Sequence, residues 1–154
     1  MADQFVVERS EMIAAAPEAV FAKVGDLNGW EEWSPWADLD PDMDKTYSGE
    51  PGAIGSSYHW SGNRKVGEGR MTLTEVAPPE RVAIDLTFMK PFKAENVTEL
   101  TLTPAGDGTT VNWRMTGANT FMVRVMGLFG RGMDKMVGPD FEKGLANLKR
   151  LSEA

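Results

Sequence analysis

Apolar and polar residues alternate with a period of two through most of the middle of the chain. Between Lys45 and Gly117 the alternation comes in short runs, the pattern of half-buried β-strands. Tyr58 and Trp60 share one face, as do Gly69, Met71 and Leu73, then Val82, Ile84, Leu86 and Phe88. Leu100 and Leu102 follow, and finally Val111, Trp113 and Met115. Turn residues punctuate the runs: Glu50-Pro51-Gly52, Ser61-Gly62-Asn63, Ala77-Pro78-Pro79-Glu80, Lys90-Pro91 and Ala105-Gly106-Asp107-Gly108. With no helical interruption, this spacing predicts an antiparallel meander rather than parallel strands joined by helices.

The two ends read differently. Phe5 to Ala14 fits a first strand, and Ala15-Ala16-Pro17-Glu18 opens a helix. Proline is tolerated in a helix's first turn, and an acid there suits the dipole. Val20, Phe21 and Val24 give that helix an apolar face, which Gly25-Asp26 ends; a second short helix is expected over Leu27 to Trp33, stopped by Ser34-Pro35. From Phe121 to Leu151 the period becomes helical, with Met122, Val125, Met126 and Phe129, then Phe141, Leu145, Leu148 and Leu151. Gly127, Gly130, Gly132 and Gly138-Pro139 interrupt this stretch, so a kink or a break into two pieces is expected.

The resulting class is α+β, a helix-grip: a curved antiparallel sheet of about seven strands around a long C-terminal helix, with two short helices after strand one. A single helix is too narrow to fill a strongly curved sheet. Space lined by side chains is therefore expected between them, and such space is where a small molecule goes.

Residues 1–154 are expected to form a single domain. The net charge of -7, without any block of Lys or Arg, argues against nucleic acid as a partner. Cysteine is absent, which excludes disulfides, thiolate metal sites and cysteine nucleophiles. No run is long and apolar enough to span a bilayer, and acids stand where a signal peptide would carry bases. The expectation is a cytoplasmic protein that is not integral to a membrane, either monomer or homodimer.

Few residues offer catalytic chemistry. His59 is the only histidine, and alternation turns it to the face opposite Tyr58 and Trp60. Asp38, Asp40, Asp42 and Asp44 alternate in a calcium-like way, but Pro41 and the lack of a glycine turn and terminal Glu break the loop pattern. No metal and no cofactor are expected. Asn96 shares phase with Leu100 and Leu102, so it points inward and either orients a ligand or holds a water. Trp30, Trp33 and Trp36 either ring a pocket mouth or pack the second short helix onto the sheet. The many methionines, Met71, Met89, Met115, Met122, Met126, Met133 and Met136, make either an adaptable wall or gap-filling core.

Four stretches carry a resemblance to a known family: Trp33-Ser34-Pro35-Trp36, Tyr58-His59-Trp60-Ser61-Gly62 with Gly67-Glu68-Gly69, Phe88-Met89-Lys90-Pro91-Phe92, and Asp140-Phe141-Glu142-Lys143-Gly144-Leu145. Over almost its whole length the chain resembles the START/Bet v 1-like (SRPBCC) superfamily, in particular its bacterial polyketide cyclase/dehydrase-type members. The resemblance implies a hydrophobic cavity between sheet and helix. The expected lining is Trp33, Trp36, Tyr58, Trp60, Met71 and Leu86, continued by Phe88, Asn96, Trp113, Met115, Met122 and Met126. The expected function is binding of a small hydrophobic or aromatic molecule, lipid-like or polyketide-like. A polyketide cyclase/dehydratase and a stress-response or co-chaperone-like interaction domain are the alternatives.

Overall fold

A computed structural model describes residues 4–35, 42–63, 67–90, 93–118 and 132–153. Seven strands form one sheet: β1 (Gln4–Ile13), β2 (Asp44–Ser48), β3 (Ser57–Ser61), β4 (Glu68–Ala77), β5 (Arg81–Lys90), β6 (Ala94–Ala105) and β7 (Gly108–Ala118). Their spatial order is β1-β7-β6-β5-β4-β3-β2, and every neighbouring pair is antiparallel. Between β1 and β2 lie helix α1 (Pro17–Val24) and a 3₁₀ turn (Leu27–Glu32); helix α2 (Gly132–Glu153) ends the chain.

The register turns strand phase into rows of side chains across the concave face. One row runs Tyr47, Tyr58, Met71, Leu86, Asn96, Gly117 and Phe5 from β2 round to β1. Beside it run Lys45, Trp60, Gly69 and Phe88. A third row, Ile84, Thr98, Met115 and Val7, crosses β5, β6, β7 and β1. Each apolar face is thus continuous from strand to strand.

Helix α2 seats Phe141, Leu145 and Leu148, all buried, in the concave face. Its polar side chains tie down the edge strand β1. Arg9 Nε meets Glu142 Oε2 at 2.8 Å. Lys149 Nζ donates to the Met12 carbonyl at 2.9 Å, and the Ala14 N–H donates to Glu153 Oε2 at 2.8 Å. An edge covered in this way offers few free backbone groups to another chain. Gly144 lets the helix come close, since a Cβ there would fall 2.8 Å from the Trp113 ring.

The expected break is absent at one of its candidate positions. Gly138-Pro139 does not break α2, which runs through both residues. Proline removes one intrahelical donor, but Pro139 is exposed, so water reaches that turn, while burial of Phe141, Leu145 and Leu148 one turn on holds the helix together. The part of the expected helix from Phe121 to Gly130 lies outside the described residues. Among the described residues, no helix is long and apolar enough to cross a membrane.

The core is solid at one end. Val7, Ile13, Val20, Val24, Leu100, Val111 and Leu148 are fully buried there. Trp30 and Trp33 join it by donating their indole N–H groups to the carbonyls that α1 leaves unsatisfied at its C-terminus, Val24 at 2.9 Å and Lys23 at 3.3 Å. Towards β2–β5 the helix and sheet part, and the space between them stays open.

Candidate functional site

The open space is a cavity of about 190 Å³. The sheet supplies Tyr58 and Trp60 from β3, Met71 from β4, Leu86 and Phe88 from β5, Thr98 from β6, and Trp113 and Met115 from β7. Val137 and Phe141 come from α2, and Leu27, Trp30, Glu31 and Ser34 from the 3₁₀ turn and the residues after it. Met43, Lys45 and Tyr47 complete the rim beside β2. At the inner end Phe141 stacks flat on Trp113, with centroids 4.0 Å apart and planes 4° apart. Trp113 in turn meets Trp30 and Trp33 edge-on at 5.9 and 5.3 Å. Aromatic pairs in these arrangements are worth about 0.5–1.5 kcal/mol beyond their buried area, so this cluster is a rigid floor.

The outer wall is a second ring array. Tyr47 stacks on Tyr58 at 4.9 Å, Tyr58 on Trp60 at 5.9 Å, and Trp60 meets Phe88 edge-on at 6.0 Å. Gly69 makes this possible. Strand neighbours would normally separate Trp60 from Phe88, but at Gly69 a Cβ would fall 2.5 Å from the Trp60 ring and 2.8 Å from the Thr87 carbonyl. Gly69→Ala is therefore expected to push Trp60 off its seat and to cost about 1–3 kcal/mol. Chemical denaturation followed by tryptophan fluorescence checks both effects.

Polar groups gather at the rim. Lys45 Nζ is ion-paired with Glu31, which also accepts from the Tyr47 hydroxyl at 3.3 Å. The Lys45 hydrogen bond holds the Glu31 carboxyl below the usual range, against a smaller opposing effect of burial. Burial, followed by the Glu31 charge, pushes the Tyr47 phenol up to about 12. Deeper burial, with the charges of Tyr47 and Glu31 beyond it, pushes Tyr58 up as well. Both phenols are thus neutral donors at physiological pH.

These are the chain's two tyrosines, so the effect is measurable. An ultraviolet titration of the folded protein should show no phenolate step near the ordinary value of about 10, whereas the denatured chain should show both there. Between those limits the folded state binds more protons than the unfolded one. Its stability should therefore fall as pH rises above about 10.

Of the lining residues anticipated from sequence, Tyr58, Trp60, Met71, Leu86, Phe88, Trp113 and Met115 are on the wall. Two are elsewhere. Trp33 is completely buried behind the floor, its ring against Trp30 at 4.5 Å and its N–H spent on Lys23. Asn96 points inward and is buried, as its phase demands, but its amide oxygen lies over Gly117 beside the Phe5 ring. It lines a separate cleft of about 320 Å³ with Asp85, Thr87, Glu95, Val97, Thr116 and Gly117. That cleft is lined largely by polar side chains, with Val97 as its one large apolar residue. Trp36, Met122 and Met126 lie outside the described residues, as do the side chains of Met133 and Met136.

Sequence reasoning missed Glu31, Lys45 and Tyr47, whose meeting depends on the 3₁₀ turn folding over β2. It also missed Thr98, although Thr98 shares phase with Asn96 and Leu100. His59 faces away from the rings, with Nε2 2.8 Å from Glu68 Oε2. Among the described residues no cluster of three or more acids and histidines converges on a metal-sized space.

The model of the family described as "Polyketide cyclase / dehydrase and lipid transport" matches residues 4–153. The chain belongs to this family. As a polyketide cyclase/dehydrase-type protein it has the helix-grip fold of START/Bet v 1-like proteins, and solved structures agree. Protein CV1439 from Chromobacterium violaceum superposes with a TM-score of 0.70 at 15% identity, covering 97% of each chain. Protein MLL2253 from Mesorhizobium loti gives 0.66 at 22% identity, covering 98% of this chain and 99% of that one. The Aha1 dimer from Colwellia psychrerythraea gives 0.64 at 19%, covering 97% and 96%. No curated protein matches this polyketide cyclase/dehydrase-type chain by sequence.

Proposed function

We propose that this protein binds a small, neutral, apolar or aromatic molecule in the hollow between the sheet and α2. The observation that carries this is a pre-formed cavity walled by Trp60, Met71, Leu86, Phe88, Trp113 and Met115 beside a solid core of fully buried side chains. Empty apolar space forfeits dispersion contacts, and filling it with a ligand restores them. An engineered apolar cavity of about 150 Å³ takes up benzene. At about 190 Å³ the hollow suits a substituted ring or a small bicycle. It is smaller than the roughly 300–1,000 Å³ of drug-sized sites, which favours a compact ligand over a long acyl chain or an extended polyketide held wholly inside it.

The rim supports neutrality. Lys45 is the only cation among the described wall residues, and Glu31 already neutralises it. A cyclase or dehydratase reading draws on Asn96 and Tyr58 acting on one substrate, and Asn96 is not on the wall. General acid–base work also favours a group tuned towards neutrality, whereas both wall phenols are pushed up and the Glu31 carboxyl is pushed down. An interaction-domain reading wants a continuous apolar surface. Among the described residues the exposed large apolar side chains, Val6, Met12, Ile54 and Val97, are instead spread over β1, the β2–β3 turn and β6, with Thr116 between Val6 and Val97.

Native mass spectrometry of protein purified without denaturation tests the proposal. The expected result is an adduct of a single small neutral molecule, lost on denaturation and restored by adding one- or two-ring aromatics. Protein that carries no adduct and whose tryptophan emission is indifferent to every such compound would contradict it.

A further inference from the structure

The cavity wall contains a buried feature that a purely apolar ligand leaves unexplained. Thr98 is 3% exposed and lies on β6 between Ile84 of β5 and Met115 of β7, in the concave row. It lines the cavity, and its Oγ1 has no hydrogen-bond partner among the described residues. A buried hydroxyl left unpaired is disfavoured. Valine has nearly the same shape and suits a strand at least as well, so packing does not account for threonine here. Buried polar groups in native proteins are satisfied by protein, by water or by a ligand. Thr98 borders a space where the last two can stand, and rotation about its χ1 moves Oγ1 among staggered positions.

We propose that Thr98 is the hydrogen-bonding anchor of the cavity, and that the ligand is a compact apolar molecule bearing a hydroxyl or carbonyl group rather than a plain hydrocarbon. This rests on the binding function proposed above and narrows its ligand class. A threonine hydroxyl donates to a carbonyl and either donates to or accepts from a hydroxyl, so both oxygen functions fit. A carboxylate does not, since no uncommitted cation stands among the described wall residues. The aromatic floor of Trp113 and Phe141 receives the ring while Thr98 fixes its rotation. Apolar bulk with a single well-placed polar contact is how such sites acquire orientation and specificity.

The test compares matched probes of near-equal size, p-cresol against toluene and acetophenone against ethylbenzene, binding to the wild type, Thr98→Val and Thr98→Ser. Tryptophan fluorescence and thermal shift report binding. Thr98→Val should lose roughly five- to thirtyfold in affinity for p-cresol and acetophenone, the factor for one hydrogen bond left unmade. Its affinity for toluene and ethylbenzene should be unchanged or tighter, and its melting temperature no lower than that of the wild type. Thr98→Ser should keep the wild-type preference, and it carries the comparison if the valine variant does not fold. A Thr98→Val protein that binds both probe classes like the wild type overturns the anchor and leaves the binding function standing. Loss of both classes alike also overturns the anchor, because it marks a structural effect. A wild type that takes up none of the four probes overturns the binding function and the anchor with it.

Discussion

Trp113→Ala is expected to destabilise the protein by about 3–5 kcal/mol, the range for emptying a large aromatic site in a core. Trp113 is 1% exposed and touches everything that separates the solid core from the hollow: Trp30, Trp33 and the stacked ring of Phe141. Its removal merges the cavity with new empty space, and the surroundings cannot collapse to fill both. For a chain of this size each kcal/mol shifts the melting temperature by roughly 2–4 °C, so the fall should be roughly 6–20 °C by calorimetry. A fall of less than about 3 °C would mean that the aromatic floor is not the rigid element described here. The double replacement of Trp113 and Phe141 refines the test, since residues in contact should fall short of additivity.

Leu86→Trp should have the opposite profile, with binding lost and the fold kept. Leu86 stands on the cavity wall in the row of Met71 and Tyr58, so a larger ring there has somewhere to go. Overpacking a filled core costs about 1–3 kcal/mol, but in this place the clash falls on the ligand. Affinity for the aromatic probes should drop roughly a hundredfold, the upper end of that cost, while the melting temperature stays within about 3 °C. The control is Leu100→Trp, fully buried in the solid core, which should lose stability without any space to absorb the ring. If the two variants melt alike, the distinction between hollow and solid halves fails.

Much of this architecture is legible in the sequence because sheet physics is local. Period-two alternation assigns Tyr58, Trp60, Met71, Leu86, Phe88, Trp113 and Met115 to one face, and the register then lays those faces side by side. What alternation does not reveal is which part of a face the helix covers. Asn96 and Thr98 share a phase, yet Thr98 borders the hollow and Asn96 lies over Gly117. Helical spacing likewise groups Trp30 with Trp33, but a short 3₁₀ turn sets one on the wall and the other behind it. The rim of Glu31, Lys45 and Tyr47 joins residues far apart in sequence, so no local pattern announces it. Gly138-Pro139 misleads for the reverse reason: a strong local signal for a break is overridden by the burial of the helix's apolar face.

The measurement that bears most directly on the hollow is a crystal structure of the protein under xenon pressure, since xenon enters apolar cavities of this size without needing a specific contact. The account predicts a xenon peak enclosed by Met71, Leu86, Met115 and Phe141, with the surrounding side chains unmoved. Absence of any peak there, with Tyr58, Trp60 and Met115 closed down onto α2, would contradict it.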